Sequence, residues 1–377
     1  MKIETVELIR IRMPLKGAFR TSFGSESVRD ILLVHAITPD AEGWGECVAM
    51  DDPGYSSEYV DGAQDVLKRF LLPRVFGRGD VSSASLASLW KLVRGHRMAK
   101  AAVETALLDA ELRARGESLA EHLGAVRDRV DCGVSVGIPD PPEGAETPAA
   151  RIGRLLDQVA GYLDQGYVRI KLKIEPGWDV EPVKAVREAN PDILLQVDAN
   201  QAYELGDARH LAKLDAFDLL LIEQPLGEER VRDHAELVKM VKTPICLDES
   251  IVSAQAAADA IALGACRIVN IKPGRVGGYL EARRVHDVCE ANKIPVWCGG
   301  MLESGIGRAA NVALAALPNF TLPGDTSASD RYFARDVTPP FVLEDGTLRV
   351  PTGPGIGVSP IPEVLAELTT SREVVSP

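Results

Sequence analysis

Ile170-Lys171-Leu172-Lys173-Ile174 sets two lysines two residues apart in a run that otherwise reads as buried β-strand. Side chains at i and i+2 of a strand leave the same face, so both ammonium groups head one way. Like charges side by side among Ile and Leu are unfavourable unless something anionic or metallic meets them. Strand-like runs ending in charged residues then recur downstream: Leu195-Gln196-Val197-Asp198, Leu221-Ile222-Glu223, Cys246-Leu247-Asp248 and Asn270-Ile271-Lys272. From Lys173 to Lys272 the steps are 25, 25, 25 and 24 residues.

Working outward, strand candidates fall at 130–136, 168–174, 193–198, 219–223, 245–248, 267–272, 296–298 and 320–323. Helical stretches separate most of them, at 152–163, 181–189, 207–214, 229–241, 254–263, 280–291 and 306–316. Eight strands alternating with seven helices predict a modified (β/α)8 barrel of (β/α)7β form, its last helix weak or replaced. An open doubly wound sheet is the alternative, but the G-x-G-x-x-G turn after its first strand is missing.

Before the barrel, strand-like runs at 3–13, 31–37 and 44–48 read as an antiparallel meander. Residues 57–124 switch to the 3.6 period of helices, as in Ala102-Val103-Ala106-Leu107-Ala110. Strands followed by helices make an α+β capping domain over 1–127, with the barrel over 128–335. The last segment, 336–377, reads as a hairpin (341–350) and a short amphipathic helix near 364–368. It is surplus to the barrel and is expected to return to the capping domain. Residues 17–25, rich in Gly, Ser and Phe, read either as a plain hairpin connection or as a lid over a site.

A net charge of −13 argues against nucleic acid or an anionic membrane surface as partner. No run approaches the ~18 apolar residues of a membrane helix, and the alternating start Met1-Lys2-Ile3-Glu4 is a strand and no signal peptide. Six cysteines lie far apart without a C-x-x-C pair. They are expected as buried, reduced thiols in a cytoplasmic protein.

Barrel enzymes place their chemistry at the C-terminal ends of the strands, and Lys173, Asp198, Glu223, Asp248 and Lys272 end strands two to six. Taken singly, Asp198 and Asp248 read more readily as helix N-caps than as ligands. Three converging carboxylates repel one another, and a divalent cation resolves that repulsion; all-oxygen ligation favours Mg²⁺, or Mn²⁺ on the same argument of hardness. Strands two and six oppose each other across an eight-stranded ring. Lys173 and Lys272 therefore reach the two faces of one substrate carbon, which predicts abstraction of a proton α to a carboxylate and an enediolate held by the metal.

Lys-x-Lys on strand two, Asp/Glu/Asp on strands three to five and Lys on strand six resemble the enolase superfamily, in its muconate-lactonizing subgroup. The stretches Asn270-Ile271-Lys272-Pro273-Gly274-Arg275-Val276-Gly277-Gly278 and Gly299-Gly300-Met301-Leu302-Glu303-Ser304-Gly305-Ile306-Gly307 are similar to o-succinylbenzoate synthases that also act as N-succinylamino acid racemases. The resemblance implies Asp198, Glu223 and Asp248 as metal ligands, Lys173 and Lys272 as the two acid/bases, and Lys171 as the cation that lowers the pKa of Lys173 and helps hold the carboxylate. It implies racemization of N-succinylamino acids, syn-dehydration to o-succinylbenzoate in menaquinone synthesis, or both, and a dimer or octamer. A muconate-type cycloisomerase or another epimerase of the superfamily, a Schiff-base lyase using Lys272 and a silent metal-binding barrel are the alternatives. Strand seven has no histidine and strand eight gives Asp325-Thr326-Ser327 without Asp-x-Asp, which favours an uncharged acyl-amine over a free amine. Asn200, Ser135, Arg275, Gly300, Met301 and Glu303, with Phe19, Arg20 and Phe23 of the early loop, are further candidates for touching substrate. Glu249 alternates away from Asp248 and is expected to pair structurally.

Overall fold

The computed structural model describes residues 1–140 and 147–377. Seven parallel strands form one curled sheet in sequence order: β5 (Gly133–Val136), β6 (Arg169–Lys173), β7 (Leu194–Asp198), β8 (Ile222–Glu223), β9 (Ile245–Leu247), β10 (Ile268–Ile271) and β11 (Val296–Cys298). The eighth position is reduced to two single bridges, Phe320 to Val296 and Gly324 to Cys132, which span the gap between the first and last strands. The strand expected at 320–323 is therefore too short to build a ladder, with Pro318 just before it and Pro323 within it removing two donors. The result is a modified (β/α)8 barrel.

Helices return the chain between strands and are punctuated where the sequence provides caps. Ser253 accepts from Ala256 N at 3.1 Å to open the helix Ala254–Leu263, and Gly264 closes it at φ +69°. Residues 207–214 are mixed α and 3-10 turns instead of one α-helix. Inside the barrel, Arg169 of β6 is fully buried, lays its guanidinium 5.2 Å from the Trp297 ring and pairs with Asp325 at 2.8 Å. A Cβ on Gly133 would stand 2.2 Å from Arg169 Cζ, so only glycine lets β5 close against that side chain.

The capping domain is a sheet of β1 (Thr5–Thr21), β2 (Gly24–Ile37) and β3 (Glu42–Cys47) against the long helix Arg97–Arg115. That helix is buried all round from Ala101 to Leu112, its polar residues Glu104, Thr105, Asp109 and Glu111 included, as expected for a core helix. The early loop is shorter than residues 17–25 suggest. β1 runs on to Thr21 and β2 begins at Gly24, so the segment is the tip of a long hairpin with a turn only at Ser22-Phe23. Cross-strand pairing and seating on the barrel override its glycine and serine content.

The tail departs from expectation in one half. The hairpin expected over 341–350 is reduced to one antiparallel bridge, Glu344 to Thr347, and β12 (Thr347–Arg349) builds its ladder with β4 (Arg129–Asp131), just before the first barrel strand. The second half runs to the cap: the helix Pro362–Leu368 leads into β13 (Thr369–Val375), which is antiparallel to β1. All six cysteines are buried and unpaired, and no described helix is long and apolar enough to cross a membrane.

Candidate active site at the barrel mouth

Parallel register brings the charged strand ends level. Lys173 lies beside Asp198, Asp198 beside Glu223, and Lys171 beside Ser135. Lys173 Nζ donates to Asp198 Oδ2 at 2.6 Å and to Asn200 Oδ1 at 2.8 Å. Lys171 Nζ meets Asp325 at 2.6 Å, Glu223 at 3.1 Å and Asp198 at 3.4 Å. Across the mouth, Lys272 Nζ donates to Asp248 Oδ2 at 2.8 Å and to the Tyr55 hydroxyl at 3.2 Å, while that hydroxyl donates to Asp248 Oδ1 at 3.1 Å. Every one of these ionic groups is at least nine-tenths buried. Burial without partners would be prohibitive; here each charge has a counter-charge within hydrogen-bond reach.

The surroundings tune the lysines unequally. Burial holds Lys173 below the usual lysine value, Lys171's charge adds to that, and Asp198 opposes it. Burial also pulls on Lys171, but Asp325, Glu223 and Asp198 outweigh it and hold that ammonium well above the ordinary range. Lys272 is likewise depressed by burial and then raised overall, chiefly by Tyr55, Glu223 and Glu249. Glu249 is pushed up to about 7, first by burial and then by Asp198.

A cleft with 720 Å³ of empty space, part of it open solvent, stands over these groups. Lys171, Lys173 and Lys272 form its floor with Ser135, Asn200 and Asp325. The cap contributes Phe19, Phe23, Met50 and Tyr55, and the loop after β11 contributes Gly300, Met301 and Leu302. The Ser135 hydroxyl is buried in this cleft without a hydrogen-bond partner among the described residues.

Three candidates lie elsewhere. Arg20 turns its guanidinium to Asp140 at 3.3 Å and Glu175 at 3.1 Å, on the outer side of the hairpin, because neighbours on a strand face opposite ways and Phe19 faces in. Arg275 sits behind the cleft, paired with Asp248 and donating to Ile251 O at 2.8 Å and Asn270 O at 2.6 Å. Glu303 lies beneath the loop, where Asn311 Nδ2 donates to it at 2.9 Å. Glu249 differs from expectation the other way. It is buried beside the site and accepts from Asn200 Nδ2 at 3.4 Å, because the backbone leaves the strand after Leu247 and strict alternation ends there.

Tyr55 and Asp325 are the additions that sequence reasoning missed. Asp325 carries a readable signal, an acid at the end of the eighth strand position. Tyr55 carries none, since nothing in its own neighbourhood marks a loop that crosses to another domain.

The fit of a metal ion can be judged from the donor set. Asp198, Glu223 and Asp248 offer hard carboxylate oxygens from three adjacent strand ends, the chemistry that Mg²⁺ or Mn²⁺ takes. They are drawn apart toward the lysines: among the described residues, the set of three metal-capable atoms within 4.8 Å of one another is His286, Asp287 and Glu290. That set lies on the helix Tyr279–Ala291 with both acids exposed, and both His286 nitrogens are engaged, by Asp287 and by Asn319 N. The buried strand-end carboxylates are the better fit on chemistry.

Comparison with known proteins gives the family. Residues 154–364 match the family described as enolase C-terminal domain-like, and residues 3–124 match the mandelate racemase/muconate lactonizing enzyme N-terminal domain. The chain belongs to the enolase superfamily. Within that superfamily it is 66% identical over 373 residues to an N-succinylamino acid racemase of an Amycolatopsis species, covering 99% of both chains. It is 46% identical to an o-succinylbenzoate synthase of Geobacillus kaustophilus, covering 95% of this chain and 93% of that one. A crystal structure of an enolase-superfamily member from Listeria innocua superposes with a TM-score of 0.93 at 41% identity, over 100% of this chain and 99% of the other.

Proposed function

We propose that this enzyme removes the proton α to the carboxylate of an N-succinylamino acid, or another N-acylamino acid, and returns it to either face, racemizing the substrate. The same groups suit a syn-dehydration to o-succinylbenzoate, as in menaquinone synthesis, because one lysine serves first as base and then as acid to the departing hydroxyl. The observation that carries the reading is that Lys173 and Lys272, from opposite strands, floor one cleft with acids between them. The names of the Amycolatopsis and Geobacillus relatives support both reactions.

In this reading Lys173, the lysine that burial holds low, is the amine on one face and Lys272 the proton carrier on the other. Lys171 and Ser135 orient the substrate carboxylate and acyl group. Phe19, Phe23, Met301 and Leu302 favour an apolar amino acid side chain. Asp198, Glu223 and Asp248 would hold Mg²⁺ or Mn²⁺. When bound, such a cation offsets the charge of the enediolate and, in a set already balanced between acids and bases, favours loss of a proton from a lysine.

A division into 1–127, 128–335 and 336–377, homo-oligomeric assembly as dimer or octamer, and a cytoplasmic setting belong to the same proposal. Sedimentation reads the assembly, and titration of six reduced thiols after denaturation bears on the setting. The activity is tested by deuterium incorporation at the α-carbon of a panel of N-acylamino acids in D₂O, with and without chelator. Metal-dependent exchange supports it. Absence of exchange with every substrate removes it, and exchange that survives chelation, with borohydride trapping of a keto acid, points to Schiff-base chemistry instead.

A further inference from the structure

The loop from Gly299 to Ser304 gives the cleft one of its walls through Gly300, Met301 and Leu302. Leu302 holds φ +56°, a left-handed conformation that a leucine keeps only where its surroundings impose it. The loop ends at the helix Gly305–Ala315, whose first turn leaves backbone N–H groups to be satisfied. A capping-domain residue meets them. Glu46 of β3 accepts from Ser304 N at 3.1 Å, from Ser304 Oγ at 2.6 Å and from Gly307 N at 3.0 Å.

Local sequence explains how Glu46 reaches so far. β3 carries Gly43 and Gly45 on the face against the helix Arg97–Arg115, where a Cβ on Gly45 would stand 2.0 Å from Ala102 O. Alternation along the strand then turns Glu46 the other way, into the barrel. A Cβ on Gly307 would crowd both Glu303 Cγ at 2.8 Å and Glu46 Oε2 at 3.0 Å, so the contact requires glycine there as well. Glu46 itself is 6% exposed and does not line the cleft.

We infer that Glu46 is a positioning residue for substrate: by capping Ser304 and Gly307 from the other domain it fixes the Gly300–Leu302 wall, and thereby sets how tightly a substrate side chain is gripped. The inference rests on the racemase reading, since that reading supplies the substrate. The carboxylate holds the wall through three bonds from two directions, and removing it frees Leu302 to leave its left-handed conformation.

The test compares wild type with Glu46→Ala, Glu46→Gln and Ser304→Ala. Racemization of N-succinylalanine and N-succinylmethionine is measured, together with backbone amide exchange over 299–307 without substrate. In Glu46→Ala, KM for the methionine derivative is expected to rise about tenfold with kcat within about threefold, and the preference between the two substrates to shrink. Glu46→Gln, which keeps an acceptor, should recover most of that KM. Amide exchange over 299–307 should quicken about tenfold or more in Glu46→Ala while the β6 and β7 amides stay unchanged. A lowered Tm with unchanged loop exchange and an unchanged substrate ratio would overturn the inference, as would Gln behaving like Ala. Should Glu46→Ala not fold, Glu46→Asp, whose carboxylate is one methylene short of Ser304 and Gly307, gives the same amide readout, and Ser304→Ala, which also loses the cap on Ile306 N, should quicken exchange as well. A wild type that racemizes nothing defeats the racemase reading, while the amide exchange still judges the role of Glu46.

Discussion

The barrel mouth and the cap that covers it are built on opposite principles. The mouth is a lattice of buried charges from successive strand ends, level by parallel register from Lys173 through Asp198 to Glu223 and held by ion pairs such as Lys173–Asp198 and Lys272–Asp248. The cap meets it with a hairpin tip and a loop that turn mainly aromatic side chains to the cleft, Phe19 packing edge-on to Tyr332 at 6.0 Å and Phe23 near Tyr55 at 6.2 Å, while the Tyr55 hydroxyl joins Lys272 and Asp248. In the proposed function, the difference largely separates proton transfer from choice of substrate, with Tyr55 the residue that belongs to both. A charge lattice fixes atoms where bonds change, whereas an apolar cover grades affinity in small steps.

The separation breaks first at the lysines. Lys173→Ala should lower racemization by about 10³-fold or more, and so should Lys272→Ala. Each variant should still exchange the α-proton of one enantiomer, and the two should differ in which one. Measuring exchange on separate D and L substrates checks this; loss of exchange on both enantiomers in both variants would mean that the lysines do not divide the faces.

Removal of residues 341–377 attacks the cap instead. It takes away β13 from the edge of β1, and with it the bonds from Arg113 to Val358 O and from Ile356 N to Asp109. An exposed strand edge invites association between chains. The truncated protein should be largely insoluble, and a soluble, fully active product would show that the cap stands without the tail.

Phe23→Ala is a gentler probe, expected to raise KM about fivefold with kcat nearly unchanged, whereas a fall in kcat alone would place Phe23 in the chemistry.

The smallest effect lies at the joint between the two regions. Burial pushes the Glu104 carboxyl up to about 8, against donation from Leu280 N and Tyr279 N. An acid raised in the folded state adds stability below its unfolded value near 4.5, and that stability is lost as pH rises through about 8. Glu104→Gln should therefore narrow the fall in Tm between pH 6 and pH 9 by about 2–4 °C, read by calorimetry.

The same contrast explains what could be read from the chain. Lys173, Asp198, Glu223, Asp248 and Lys272 are legible because a repeating β/α unit puts strand ends at a fixed beat, so chemistry and periodicity coincide. The seven barrel strands follow for the same reason. Nothing periodic links Tyr55 or Glu46 to the barrel, and no local signal states that β1 and β2 continue through a Gly- and Ser-containing segment. Arg20 and Glu303 have the right residue type and the right neighbourhood but the wrong orientation. Which way a side chain turns there depends on register and on packing between domains, and neither is a property of local sequence.

Tyr55 carries a consequence for how such enzymes diversify. Its hydroxyl is shared between Asp248 and Lys272, so the covering piece owns one corner of the charge cluster at the barrel mouth. A foreign cap grafted onto this barrel must bring a phenol to that spot, or the chimera leaves Lys272 and Asp248 one hydrogen bond short. Parts that look exchangeable are bound by one hydroxyl into a shared lineage.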